Sequence, residues 1–388
     1  MADPLALWVV PVSEPGGVAR HVLDTASAGI PGFRLAVLCP PGWLAGQLRS
    51  TGAAVLTGPF GPGALDALPR RGSGAAGALT TARAAAASSA TLRHAVRTLR
   101  PAVVHSHLAY ADLLCAAVLR GPRAPGPGHP ALVSTEHGIA GDAALYHADP
   151  ARARAMAALH TRRLRRTDAR IAVSEATARA MVLRWHARDV TVIRNGIDRP
   201  RPGAAPRSPE AGSGPRLLSL ARLAPEKNLA ALVAATAALR AEHPGTTLTL
   251  AGDGPEHERL RALAASRGLA DRVSTPGVVD PTRALAEHDV LVQLSRWENC
   301  SYSLLEAAAA GAGTVATDVG GNREILPARC LTAADPPGLA DRVARLVAQQ
   351  LDPAERPGLP PDWPAVAEMT SAVSRTYREV LGDTEVHA

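Results

Sequence analysis

The chain has 388 residues, 42 of them lysine or arginine, and a formal net charge of +7; 46 % are hydrophobic and 20 % charged. That balance can bury ordinary cores in two or three domains, no run of about 18 apolar residues spans a membrane, and no finger, RNP or basic-zipper pattern points to nucleic acid. Four scattered cysteines, Cys39, Cys115, Cys300 and Cys330, have no C-x-x-C spacing, which argues against zinc fingers and disulfide frameworks and leaves a reducing cytoplasm as the expected compartment.

In chain order, the apolar run 5–12 follows Asp3 rather than a basic segment and lacks a small-residue cleavage site, so it reads as a strand and not a signal peptide. Gly16-Gly17 and a helix to about residue 27 follow, then strands over 34–40 and 53–56. The Gly/Pro-rich stretch 57–77 reads as a mobile surface loop. An Ala-rich helix over 78–99 leads to the strand 102–107, a helix over 109–120 and a Pro/Gly loop over 121–130. The strand 131–138, a basic helix over 151–166, a strand over 169–174, a helix over 175–185 and the run 190–198 complete the first half. Strands alternating with helices imply parallel βαβ units with right-handed crossovers.

Residues 201–215, rich in Pro and Gly, form the clearest linker, so 1–200 is read as one domain and 216–362 as a second. The second alternation has strands near 216–223, 247–254, 273–278, 289–295 and 313–321. In the tail, 363–385, Val366, Met369, Val373, Tyr377 and Leu381 fall at helical spacing, a helix docking on one of the domains. Two doubly wound halves predict ligands at the carboxyl ends of the strands, in a central cleft that the domains face.

Lys227 is the single lysine, so the other 41 basic residues are arginine; Asn195, Asn228, Asn299 and Asn322 are the only asparagines. This is the imprint of a GC-rich genome, and the few residues it spares are candidate sites. Arg222 lies past a strand end and Lys227 in the turn before the next helix, a pair of cations suited to a pyrophosphate. Glu298 falls in the loop after the strand 289–295, with Glu306 one turn into a helix that Ser301 or Ser303 caps. A carboxylate there can accept from vicinal sugar hydroxyls. Gly277 permits close backbone approach to a planar base.

In their order and spacing, ARLAPEKN, LAGDGPE, the E-x7-E of Glu298 and Glu306, and DVGGNREI resemble the nucleotide-sugar domain of family 4 glycosyltransferases, the retaining family of GT-B fold. VVPVSEPGGVARHV, VVHSHLAYAD, VSTEHG, IAVSEATA and VIRNGID resemble its acceptor domain. The resemblance implies an α/β GT-B fold of two Rossmann-like domains, acceptor-binding then donor-binding, with the C-terminal helix crossing back to the first. It implies that Arg222 and Lys227 hold the donor diphosphate, Glu306 the ribose and Glu298 the transferred sugar. Backbone around Asn299, Cys300 and Ser301 would meet sugar hydroxyls or phosphate, Gly277 and Val278 the base, and Gly16 and Gly17 the phosphate. His107 would reach the donor sugar and His137 the acceptor. Asn299 stands where many relatives have glycine, which bears on the sugar accepted.

No D-x-D occurs, so no metal and no other cofactor are expected beside a UDP- or GDP-sugar co-substrate. The expected reaction is sugar transfer to a hydroxyl of a small acceptor, as in aminosugar-antibiotic biosynthesis in a high-GC bacterium. The alternatives are a peripheral-membrane enzyme of envelope glycan assembly, touching lipid through the basic helix in 150–170, and a non-catalytic partner subunit. The apolar stripe of that helix (Met156, His160, Leu164) is narrow, so a solvated face is the preferred reading.

Overall fold

A computed structural model describes residues 3–61, 75–120, 129–139, 150–199 and 214–382. The chain divides into two compact units; it leaves the first after Gly196 and returns to it at Pro364.

The first unit runs β1 (Leu5–Val9), α1 (Gly17–Ala28), β2 (Arg34–Cys39), α2 (Trp43–Ser50), β3 (Ala54–Thr57), α3 (Ala75–Leu99), β4 (Val103–His107), α4 (Leu108–Leu119), β5 (Ala131–Glu136), α5 (Pro150–Leu164), β6 (Ala169–Ala172), α6 (Glu175–Trp185) and β7 (Val190–Val192). Its strands form one parallel sheet in the order β3-β2-β1-β4-β5-β6-β7. Alternation along β1 builds both cores. Leu7 and Val9 pack with Leu92, Leu114 and Leu119 on the side of α3 and α4. Ala6 and Trp8 pack with Val22, Leu44 and Leu48 on the side of α1 and α2. Each buried leucine or valine among them contributes roughly 1.5–3 kcal/mol by leaving water.

The second unit runs β8 (Arg216–Leu220), α7 (Leu229–Leu239), β9 (Thr247–Ala251), α8 (His257–Ser266), β10 (Val273–Gly277), α9 (Pro281–Glu287), β11 (Val290–Gln293), α10 (Tyr302–Ala309), β12 (Gly313–Thr317), α11 (Asn322–Ile325), β13 (Leu331–Thr332) and α12 (Leu339–Gln350). Its six strands are parallel, in the order β10-β9-β8-β11-β12-β13. Helix α7 carries buried residues around most of its girth because it is covered by the sheet and by α12.

Helix α13 (Val366–Leu381) belongs to the first unit: Val366, Met369, Val373 and Tyr377 are buried in its core, as the spacing predicts. Gly382, at φ +80°, stops it as a left-handed C-cap. Trp363 to Ala365 lie outside the helix, which begins after Pro364.

Several boundaries are corrected. Helix α3 already begins at Ala75, so 75–77 are not loop, while 62–74 lie outside the described residues. The run 190–198 holds only a three-residue strand. Helix α5 ends at Leu164, and β6 starts at Ala169, inside the stretch assigned to a basic helix region. The linker lies outside the described residues save Gly214 and Pro215, and so do 121–128, 140–149 and 383–388.

Candidate functional site

In each sheet the order of strands reverses at one point, between β8 and β11 in the second unit and between β1 and β4 in the first. Loops leaving two such neighbours diverge to opposite faces and open a crevice. Arg222, Lys227, Glu298 and the start of α10 lie at that point in the second unit, and Gly16, Gly17 and His107 in the first; Gly277 and Val278 lie instead at the end of the edge strand β10, and His137 follows β5.

In the second unit the loop after β8 holds Arg222 and a short 3-10 turn, Pro225–Lys227; the loop after β11 holds Ser295 to Asn299. Asn228 ends the turn at φ +50°, a left-handed conformation that asparagine tolerates better than other side chains. The backbone N–H of Arg296 donates to the Glu226 carbonyl at 2.8 Å and ties the loops together. Lys227 Nζ donates to Glu298 Oε1 at 2.5 Å, and Ser295 Oγ donates to the same oxygen at 2.8 Å. Arg222 pairs with Glu226 at 2.5 Å, yet its side chain remains 64 % exposed. Both cations are thus held by a carboxylate, one in a half-buried position and one open to solvent.

Beneath Glu298 lies a buried polar network with no obvious signature in the sequence. Gln293 Nε2 donates to Ser301 Oγ at 2.7 Å and to Ser303 Oγ at 3.1 Å. Asn322 Nδ2 donates to the Thr317 carbonyl at 2.9 Å, and Thr317 Oγ1 donates to the Ser295 carbonyl at 2.5 Å. These bonds tie the loop after β11 to β12 and to the start of α10, although the buried Asn322 Oδ1 has no hydrogen-bond partner among the described residues. Ser301 caps α10, so the positive end of that helix opens beside Asn299 and Cys300, and Glu306 follows one turn later. Gly320, at φ +52°, lies against the Glu298 carbonyl, where any Cβ would collide. Gly277 ends β10 at φ +81°, and Val278 beside it is exposed.

In the first unit Gly16 caps α1 and Gly17 opens it. His107 is the last residue of β4 and buried; Leu108 after it sits at φ +70°, strain of the kind held at functional positions. His107 Nδ1 lies 2.9 Å from Nε2 of His137, which follows β5. Sequence reasoning missed what surrounds them. His21 on α1 stacks on Trp8 with ring centroids 5.6 Å apart, and Trp8 lies 4.3 Å from His107. Trp8 Nε1 donates to Tyr377 Oη at 2.7 Å, Tyr377 Oη is 2.6 Å from His105 Nδ1, and His105 Nε2 is 2.7 Å from Thr135 Oγ1. Burial pulls the His21 imidazole down to about 4. Burial likewise drives His105, His107 and His137 well below the ordinary histidine value. All four imidazoles are therefore neutral near pH 7.

A buried ion cluster anchors the segment before His137. Arg163 of α5 donates to Asp112 at 2.6 Å and to Glu136 at 2.5 Å. The basic helix thus turns one arginine inward, and its stripe residues His160 and Leu164 are buried, His160 stacked on Trp185 at 4.2 Å.

Comparison with known proteins bears on the family and the fold. Residues 15–201 match the family model described as "Glycosyltransferase Family 4", and residues 214–349 the model "Glycosyl transferases group 1". The chain is 35 % identical over 205 residues to a glycogen synthase of Mycobacterium tuberculosis (strain ATCC 25618 / H37Rv), covering 48 % of each. It is 33 % identical over 169 residues to that organism's GDP-mannose-dependent alpha-(1-6)-phosphatidylinositol monomannoside mannosyltransferase, covering 40 % of this chain and 44 % of that protein. The chain thus spans about half the length of the curated relatives it matches. The crystal structure of Anabaena Alr3699/HepE in complex with UDP-glucose superposes with a TM-score of 0.69 at 19 % identity, over 98 % of this chain and 99 % of that one, which establishes a shared fold.

Proposed function

Because the chain belongs to the family 4 glycosyltransferases of GT-B fold, its two halves matched in tandem by that family's models, we propose that it transfers a sugar from a UDP- or GDP-sugar to a hydroxyl of a small acceptor, with retention at the anomeric carbon and no metal in the transfer step. The observation that carries this is the Lys227–Glu298 pair, placed at the switch point of the second sheet beside the exposed guanidinium of Arg222.

Breaking the anomeric C–O bond builds negative charge on the departing diphosphate. Fixed cations act on that charge as it develops and cost no reorganisation at that moment. Glu298 keeps the only lysine in position, and Arg222 completes the anion contact from the solvent side. Glu306 takes the ribose hydroxyls, and the backbone of Asn299, Cys300 and Ser301 at the α10 N-terminus takes sugar hydroxyls or phosphate. Gly277 and Val278 border the base. Gly16 and Gly17 open α1 toward phosphate; His107 donates to the transferred sugar and His137 orients the acceptor. Neutral imidazoles suit that work, since each can both donate and accept. The bias that left one lysine and four asparagines supports a GC-rich source, and the acceptor proposed for it is a natural product of the aminosugar-antibiotic type. The free thiols of Cys39, Cys115, Cys300 and Cys330 support a reducing cytoplasm. The test is release of UDP or GDP from a panel of donor sugars: the reading requires release that depends on an added hydroxyl acceptor.

A second reading, transfer at a membrane surface, is favoured by one feature that the sequence stripe did not reveal. Helices α5 and α6 expose Leu159, Val182 and Leu183 beside a hollow of about 740 Å³ lined by Arg154, Arg162, Arg165, Arg166 and Arg184. Among the described residues no helix is long and apolar enough to cross a membrane. Co-sedimentation with anionic vesicles, abolished by Leu183→Glu, would select this reading; no recruitment would leave the first.

A further inference from the structure

We propose that His21, His107 and His137 form a binding site for a divalent transition-metal ion of the zinc or copper kind, separate from the diphosphate-binding residues of the second unit. The three are far apart in sequence and are gathered by the topology of the first sheet: α1 follows β1, His107 ends β4, and His137 follows β5, strands that lie side by side. One ring nitrogen from each lies within 4.8 Å of one from each of the others, the one such cluster of three among the described residues. Ring centroids are 4.9 Å (His21 to His137), 5.2 Å (His107 to His137) and 5.7 Å (His21 to His107) apart, so the three rings are immediate neighbours.

The donor set decides the class of ion. Three imidazoles and no carboxylate suit zinc, copper or nickel and do not suit magnesium or calcium, which require oxygen. Zinc–nitrogen bonds of about 2.0–2.1 Å in a tetrahedron place ligand nitrogens roughly 3.4 Å apart. His107 Nδ1 and His137 Nε2, at 2.9 Å, are already inside that spacing, and a ring nitrogen of His21 lies within 4.8 Å of a nitrogen of each. Only neutral imidazole ligates, and burial has already removed the protons that would compete. Trp8 stacks under His21 and packs against His107, holding two of the three rings. The buried His107 Nε2 has no hydrogen-bond partner among the described residues. His137 is only partly buried, which leaves an entry for the ion and a fourth position for water or hydroxide.

Occupation has a consequence that rests on the role given above to His107. A metal that captures its imidazole withdraws it from the donor sugar, so micromolar zinc should inhibit transfer.

The test uses the full chain and cobalt(II) as a spectroscopic substitute. The expected result is one equivalent bound, with the intense visible bands of a four- or five-coordinate ion, displaced by one equivalent of zinc. His21→Phe keeps the stack on Trp8 but removes a ligand nitrogen. It should weaken binding by at least the roughly 10–100-fold that loss of an outer-shell partner costs, leave uninhibited transfer unchanged and relieve the zinc inhibition. If His21→Phe fails to fold by near-ultraviolet circular dichroism, His137→Gln carries the same titration. No saturable bands, or bands unchanged in the folded variant, would overturn the site. A confirmed site without inhibition would keep the metal and remove His107 from the donor sugar.

Discussion

Lys227 Nζ stands 2.5 Å from Glu298 Oε1, a contact between residues 71 positions apart that closes the two loops at the switch point of the second sheet. Its side chains are 19 % and 12 % exposed, too buried for the pair to be a screened surface contact and open enough on one side for a ligand. Ser295 supports the same carboxylate oxygen. The position therefore calls for a compact ammonium whose placement is fixed from behind.

Lys227→Arg tests that requirement. The guanidinium keeps the charge but cannot occupy the space of an ammonium held at 2.5 Å. The expected loss in kcat/KM is at least about tenfold, equivalent to about 1.4 kcal/mol of transition-state stabilisation. An unchanged value removes Lys227 from the reaction.

Glu298→Gln should separate positioning from binding. It leaves Lys227 half-buried beside a neutral amide, and the Ser295 hydroxyl keeps an acceptor. Nucleotide affinity by calorimetry should change less than about threefold while kcat falls by roughly a hundredfold, the pattern of an interaction made in the transition state. Equal losses in both would make Glu298 a simple anchor for the donor.

Much of this was legible beforehand. Apolar runs in 5–12, 131–138 and 289–295 became strands because runs of that length cannot stay in water, and the stripe Val366, Met369, Val373 and Tyr377 placed α13. The sequence offered Ser301 or Ser303 as the cap of α10, and Ser301 fills it. What escaped was long-range. Nothing near Gln293 says that Ser303 and Asn322 will meet it, and nothing near Trp8 says that Tyr377 will accept its N–H from 369 residues away. The rarity of asparagine also reads differently: Asn228 serves a left-handed turn and Asn322 a buried network. Both act behind the site and neither need touch a ligand.

Tyr377→Phe isolates one of those long-range links. It leaves the buried Trp8 N–H and the His105 ring nitrogen without their shared partner. The expected cost is about 1–3 kcal/mol, read as a lower urea midpoint with an unchanged slope. A stability equal to wild type would show that water replaces the hydroxyl.

Acid should destabilise the first unit. Folded, His21 titrates at about 4 and His105, His107 and His137 are also held well below 6.5; unfolded, all four return to about 6.5. Between these values the unfolded chain binds up to four more protons, so stability falls as pH drops from 6.5 toward 4. Asp112 and Glu136 act oppositely: burial raises both carboxyls, so the folded state holds their protons above the unfolded range near 4 and loses that contribution as pH rises. Four imidazoles outweigh two carboxyls, so unfolding takes up protons on balance and acid lowers stability. Urea midpoints at pH 5 and pH 6.5 check the sign; a flat or reversed profile contradicts neutral histidines.

The loops after β8 and β11, with α10, are proposed to hold a nucleoside diphosphate. Titration calorimetry of UDP and GDP into the wild-type chain and into Glu306→Ala tests this most directly. One nucleotide should bind wild type at a single saturable site and bind Glu306→Ala at least about tenfold more weakly, about 1.4 kcal/mol. Equal affinity in the two proteins, or no binding of either nucleotide to wild type, would contradict the account.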